Sequence, residues 1–206
     1  MDVIDSNLTW QYAFRDVENH SFRSRIVNSD RCKEPRCLQS RFFDERRKGA
    51  VVDTIVIHSM FNPDADDNFC VHSCKALLDS RKVSTHYIID RAGEVWRSAP
   101  EEQRAWHAGE SCIPDATDAR SGVNHFSIGI ELIGSHDSGF TPAQYEALAR
   151  LSCQIAKCHA IRQVYGHADI APARKSDPWN FDWARYAADL KRLGGDAANI
   201  RVRPGI

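Results

Sequence analysis

Val51-Val52-Asp53-Thr54-Ile55-Val56-Ile57-His58 decides how the chain is read. Its β-branched run predicts a buried strand, and His58 stands where that run gives out. A histidine there lies at the edge where a buried sheet opens to solvent. A second run, Phe126-Ser127-Ile128-Gly129-Ile130-Glu131-Leu132-Ile133, predicts another buried strand. Glu131 lies inside it, where an ionisable group is expensive unless it has a task.

Working outward, Phe69 to Arg81 carries Val71, Cys74, Leu77 and Leu78 at spacings of three and four, which predicts a helix. Thr85 to Asp90 predicts a strand, turned by Arg91-Ala92-Gly93 into a second strand over Glu94 to Arg97, with Gly93 where positive φ is needed. Pro100 to Gly122 is loop-rich and holds Trp106-His107-Ala108-Gly109. Thr141-Pro142-Ala143-Gln144 starts a helix with a capping box and proline at the first helical position. That helix is expected to run to about His159. A short strand near Val164 to Gly166 leads into His167, and Phe181 to Leu193 predicts a final amphipathic helix. The order predicts an α/β (α+β) single domain, a central mixed β-sheet flanked by helices. Expected boundaries are an irregular arm over 1–39, the main domain over 40–194 and a tail over 195–206.

The chain has 206 residues, with 27 Lys and Arg against 28 Asp and Glu, a net charge of −1. That argues against a protein that holds nucleic acid by neutralising phosphates. No apolar run reaches the roughly 18 residues of a transmembrane helix. Met1 to Asp16 has acids where a signal peptide would be basic, so a cytoplasmic location is expected, with the cell envelope as the alternative. Arg23 to Lys48 holds nine basic residues against four acids, which reads as a solvated surface in preference to a binding patch. Seven cysteines cannot all pair within one chain, and free thiols are the plain expectation. Cys32, Cys37, Cys70 and Cys74 offer a four-thiolate zinc site as a rival, though small-hydrophobe roles suit Cys70 and Cys74 better.

His58, His167 and Asp177 form a possible three-ligand set. Two imidazoles and a carboxylate, with water as a fourth ligand, is an arrangement used by catalytic zinc. A histidine pair bonded within the core is the alternative, and on spacing alone the stronger reading. Trp106 and Trp96 could stack on sugar or peptide or simply pack, with packing favoured for Trp96. Arg120 and Arg174 could fork onto carboxylates, Arg174 more so because Lys175 adjoins it. His107 is placed either on substrate or behind a metal ligand. His86 is read equally as site-facing or core, and His20, His72, His136 and His159 as surface or packing.

Six segments in order carry a resemblance. They are Phe43-Asp44-Glu45-Arg46; Asp53 to Ser59; Val83-Ser84-Thr85-His86-Tyr87-Ile88-Ile89-Asp90; Ala105-Trp106-His107-Ala108-Gly109; Asn124 ahead of Phe126 to Leu132; and Gly166-His167-Ala168-Asp169-Ile170-Ala171-Pro172 running into Arg174-Lys175-Ser176-Asp177-Pro178. With these the chain resembles the zinc-dependent N-acetylmuramoyl-L-alanine amidases, within the superfamily of the peptidoglycan recognition proteins. The resemblance covers about Ser40 to Leu190. It implies Zn2+ held by His58, His167 and Asp177, Glu131 activating the water, and Lys175 stabilising the oxyanion. It places Trp106, His107, Asn124 and Arg174 on the substrate.

The resemblance implies an enzyme that cleaves the amide between N-acetylmuramic acid and L-alanine of peptidoglycan or muropeptides. A non-catalytic peptidoglycan-binding module of the same fold is the alternative, and an amidase of delivery or lysis a third reading. A monomer is expected. Three departures stand out. Trp179 follows Asp177-Pro178 where many relatives have glycine. The connection from His58 to His86 lacks the long insertion of the cytosolic recycling amidases and looks like the envelope branch. His125 stands where some relatives carry an acid.

Overall fold

The computed structural model describes residues 35–204. The strands among them are β1 (Arg36–Cys37), β2 (Phe43–Glu45), β3 (Thr54–Met60), β4 (Tyr87–Ile89), β5 (Val95–Arg97), β6 (Gln103–Ala105), β7 (Ser127–Ile133), β8 (Gln163–Gly166) and β9 (Arg201–Val202). The helices are α1 (Val71–Ser80), α2 (Pro142–Cys158), α3 (His167–Ile170) and α4 (Trp183–Leu193). Seven strands form one sheet in the order β1-β5-β4-β7-β3-β8-β9, and β2 pairs antiparallel with β6 in a second small sheet. Only β4 and β5 run antiparallel within the large sheet, as the hairpin at Gly93 predicts. Gly93 has φ +81°, and a side chain there would also meet the Ala143 carbonyl.

β3 and β7 are buried along their whole length because both faces of the sheet are covered. On one face Ile55, Ile57, Ile128, Ile130 and Leu132 pack on Tyr145, Leu148, Leu151 and Ile155 of α2 and on Tyr186 and Leu190 of α4. The opposite face carries two separate clusters. Met60, Ile88 and Ile133 pack under α1 through Val71, Cys74 and Leu78. Val56 packs with Ala108, Ile113, Val123, Phe126, Tyr165 and Ile170. His58 and Glu131 sit between these clusters, and that gap in the apolar cover becomes the site.

α2 begins as its sequence predicts. Thr141 accepts from the Gln144 N–H at 3.1 Å, and the Gln144 side chain accepts from the Thr141 N–H at 3.0 Å. Gln144 is fully buried, and its amide also donates to the carbonyls of Ile133 at 2.9 Å and Ile89 at 3.2 Å, tying the cap to the sheet. α4 is capped by Asp182, which accepts from the Arg185 N–H at 2.9 Å.

Three differences from the sequence reading have physical causes. β3 starts at Thr54 and runs past His58 through Ser59 to Met60, because β7 continues alongside it to Ile133. β1, β2, β6 and β9 were not predicted; strands of two or three residues are too short to display alternation. β1 and β9 lie in the stretches expected to be arm and tail, and both add edges to the large sheet. Most of the expected irregular arm, residues 1–34 with His20 and Cys32, lies outside the described residues.

Candidate active site

Because β3, β7 and β8 are parallel, their C-terminal halves deliver side chains to one place. His58 and Glu131 are register partners, so both side chains leave the same face of the sheet. Ile57 pairs with Gly166, which puts His167, the first residue of α3, beside the His58 level. Asp177 arrives from the following loop, and its carbonyl accepts from the Ala168 N–H at 2.7 Å.

The three expected ligands converge. His58 Nδ1 lies 3.0 Å from His167 Nδ1, and Asp177 Oδ2 lies 3.4 Å from His58 Nδ1 and 3.2 Å from His167 Nδ1. Four-coordinate bonds of about 2.0–2.2 Å place ligand atoms roughly 3.3 Å apart, so this triangle has the size a tetrahedral divalent ion requires. All three residues are buried. Burial, followed by the facing His167, brings His58 down to about 4, leaving a neutral ring able to ligate. Burial opposes ionisation of Asp177, but the facing imidazoles of His167 and His58 outweigh it and hold the carboxyl well below its usual range. Among the described residues this is the only group of three or more His, Cys, Asp or Glu side chains placed to hold a metal. Cys37, Cys70 and Cys74 form no such group; all three are free, and burial raises the Cys74 thiol to about 11.

Glu131 is 7% exposed, and its Oε2 has no hydrogen-bond partner. Burial pushes its carboxyl well above the usual range, the Asp177 charge adds to this, and the Lys175 ammonium pulls the other way. A buried carboxylate oxygen without a partner, beside three candidate metal ligands, is a candidate proton acceptor. Lys175 is itself exposed at the rim.

His107 lies behind His58, with both ring nitrogens engaged: Nδ1 is 2.9 Å from His58 Nε2, and Nε2 is 3.1 Å from Ser127 Oγ. Gly129 makes room for that ring, since a Cβ there would come within 2.5 Å of it. Asn124 holds the loop, its Oδ1 accepting from the N–H groups of His107 at 3.1 Å and Ala108 at 2.8 Å. Trp106 is half-buried and donates from its indole to Asp44 at 3.1 Å. Arg174 donates to the carbonyls of Ala108, at 3.2 Å, and Glu110. Trp96 donates to Asp90 at 3.0 Å, and Arg120 is bound to Asp118 and Asp53. His86 is a core residue: its Nδ1 accepts from the Gly129 N–H at 2.9 Å. His125 accepts from the Arg47 N–H at 3.3 Å and contacts Arg104 at 2.8 Å. Trp179 stacks on His136 with centroids 4.2 Å apart and meets Phe61 edge-on at 5.9 Å, building an aromatic rim next to Asp177.

Two residues escaped the sequence reading as site components. Ser127 holds the far side of His107. Arg46 is a half-buried guanidinium brought to about 10 by loss of solvent, donating to the carbonyls of Glu101, Asn124 and Ser127. Its place in the Phe43-Asp44-Glu45-Arg46 segment was the available signal.

The profile of the N-acetylmuramoyl-L-alanine amidases matches residues 48–180, a span that holds all three candidate ligands, Glu131 and Lys175. The chain belongs to the N-acetylmuramoyl-L-alanine amidase family. It is an enzyme of amide hydrolysis, and the fold expected from that family is the one observed. The chain is 36% identical over 173 residues to the 1,6-anhydro-N-acetylmuramyl-L-alanine amidase AmpD of Haemophilus influenzae, covering 76% of this chain and 92% of the relative. It is 35% identical over 155 residues to the N-acetylmuramoyl-L-alanine amidase AmiD of Escherichia coli, covering 66% of this chain and 52% of that one. Among solved structures, a selenomethionine AmpD derivative superposes with a TM-score of 0.64 at 32% identity, covering 80% of this chain and 99% of that chain. Escherichia coli AmiD in complex with anhydro-N-acetylmuramic acid-L-Ala-D-γ-Glu-L-Lys superposes with a TM-score of 0.57 at 29% identity, covering 73% of this chain and 66% of that chain. No helix among the described residues is long and apolar enough to cross a membrane.

Proposed function

We propose that this enzyme is a zinc hydrolase that cleaves the amide joining the lactyl group of N-acetylmuramic acid to L-alanine in soluble muropeptides. The observation that carries the reading is Glu131 Oε2, buried without a partner beside three convergent ligands. The amidase relatives, one of them holding an anhydro-muropeptide, support the substrate class.

His58 Nδ1, His167 Nδ1 and Asp177 Oδ2 would hold the metal, two nitrogens and one oxygen suiting zinc. Zinc, when bound, lowers the pKa of a water ligand toward neutrality and polarises the amide carbonyl. Glu131 Oε2 accepts the proton of the attacking water and then donates it to the L-alanine nitrogen as the C–N bond breaks. Its burial favours the protonated form, which helps it take that proton. The Lys175 ammonium offers positive charge where the carbonyl oxygen becomes negative. Arg174, beside the Ala108 carbonyl, and Trp106 offer a cation and an aromatic edge to the stem peptide and sugar. A binding-only module needs neither the complete ligand set nor a partnerless Glu131.

Mass spectrometry of a purified anhydro-muropeptide and of intact sacculi, with and without a chelator, tests the reading. Free stem peptide beginning with L-alanine is expected from the muropeptide, lost on chelation and restored by zinc. Failure to cleave the muropeptide with zinc bound would overturn it. Faster release from sacculi would move the substrate to the intact wall.

A further inference from the structure

We infer that the Trp106-His107-Ala108 loop is the device that sets the proton positions on both metal-ligand histidines, with Ser127 as its anchor and Asn124 as its clamp. The proton positions on His58 and His167 and the metal affinity rest on the zinc reading above, because two bare Nδ1 atoms 3.0 Å apart need a cation between them; the His107 tautomer does not.

The argument is a count of protons along a chain of contacts. The Ser127 hydroxyl has one hydrogen and donates it to the Val123 carbonyl at 2.7 Å, because a carbonyl can only accept. Ser127 Oγ must then accept in its 3.1 Å contact with His107, so His107 carries its proton on Nε2. The His107 ring is buried, and its hydrogen-bond partners are His58 and Ser127, neither of them a carboxylate. It therefore holds one proton, and its Nδ1 is an acceptor. The 2.9 Å contact from His58 Nε2 to that Nδ1 requires the proton to sit on His58 Nε2. His58 Nδ1 is left with a bare lone pair aimed at His167 and Asp177.

The next residue of the loop does the same for the second ligand. His167 Nε2 faces the Ala108 carbonyl at 3.4 Å, an acceptor that calls for a proton on Nε2 and leaves Nδ1 bare. Two consecutive residues thus hold the outer nitrogens of both ligands. Asn124 fixes their spacing by accepting from both backbone N–H groups. Gly129 permits the approach, since any side chain there would collide with the His107 ring. His107 and Asn124 are on this account positioning residues, and their side chains are spent on the loop and the ligand.

The test starts with the unmutated protein. Nitrogen-15 NMR of histidine-labelled protein distinguishes the two ring tautomers. His107 is expected as the Nε2–H form both without metal and with zinc, and zinc-loaded His58 is expected to coordinate through Nδ1. A proton on His107 Nδ1 would overturn the relay whether or not zinc is the metal. Zinc affinity, measured by competition with a chromophoric chelator, adds a second readout. Ser127→Ala frees His107 to take either tautomer and is expected to weaken zinc binding about 10- to 100-fold. His107→Phe is expected to do the same, while His107→Asn, which keeps an acceptor near the Nδ1 position, recovers most of the affinity. Wild-type affinity in both Ser127→Ala and His107→Phe would also overturn it. Circular dichroism of each variant separates loss of fold from loss of the relay.

Discussion

His58 and Glu131 are register partners on adjacent parallel strands, so one backbone ladder sets the distance between the proposed metal ligand and the proposed proton acceptor. Neither residue depends on a flexible loop. In the proposed mechanism the ladder fixes the acceptor relative to the ligand that would hold the attacking water, the kind of positioning that hydrolysis requires.

Glu131→Gln is expected to keep the shape and the metal while losing the proton acceptor. Zinc content by elemental analysis should stay at the wild-type level, and kcat should fall by about 10²- to 10⁴-fold. Retained activity would remove Glu131 from the mechanism.

The same substitution tests the cost of burying that group. The Glu131 carboxyl is held above its usual 4.5, so from there up to its raised value the folded protein binds more protons than the unfolded chain. Stability from this group is therefore lost as pH rises through that window. Metal-free Glu131→Gln should melt at a higher temperature than metal-free wild type at pH 7. The difference should shrink toward zero as pH falls below the usual carboxylate value, as calorimetry would record.

Gly129→Ala would place a Cβ 2.5 Å from the His107 ring. The ring must shift, at a cost of about 1–3 kcal/mol in denaturant unfolding. Zinc affinity should fall with it, because His107 carries the outer proton contact of His58.

Arg46→Met would strip three carbonyls, those of Glu101, Asn124 and Ser127, of a half-buried charged donor. Chemical denaturation should show a loss of about 3 kcal/mol or more. The site ligands themselves are untouched, so zinc stoichiometry in the remaining folded fraction should hold.

Trp179→Gly removes the centre of the aromatic rim formed with Phe61 and His136. An aromatic contact worth about 1 kcal/mol corresponds to a roughly fivefold rise in KM on muropeptide, with kcat nearly unchanged. An unchanged KM would place the rim outside the substrate path.

The long elements were legible because each carries enough residues to show a period. β3 and β7 read as apolar runs, α2 announced its start through Thr141 and Gln144, and Gly93 marked the hairpin. His58, His167 and Asp177 could be singled out by position, yet a core histidine pair was the stronger reading of their spacing alone. The short strands β2 and β6 left no periodic trace. Ser127 looked like an ordinary second residue of the apolar strand that starts at Phe126, and its contact with His107 spans a loop that no local pattern describes.

The residue pattern by itself determined the longer strands and helices, the mixed sheet and the chemical types available to a site. Those depend on side-chain period and capping, which are local. Only the tertiary structure decided that β3 and β7 pair in a register opposing His58 to Glu131, and that two apolar clusters leave a gap there. It also decided that one loop reaches the outer nitrogens of both histidines. Register and loop placement follow from packing between residues far apart in the chain, which spacing alone does not encode.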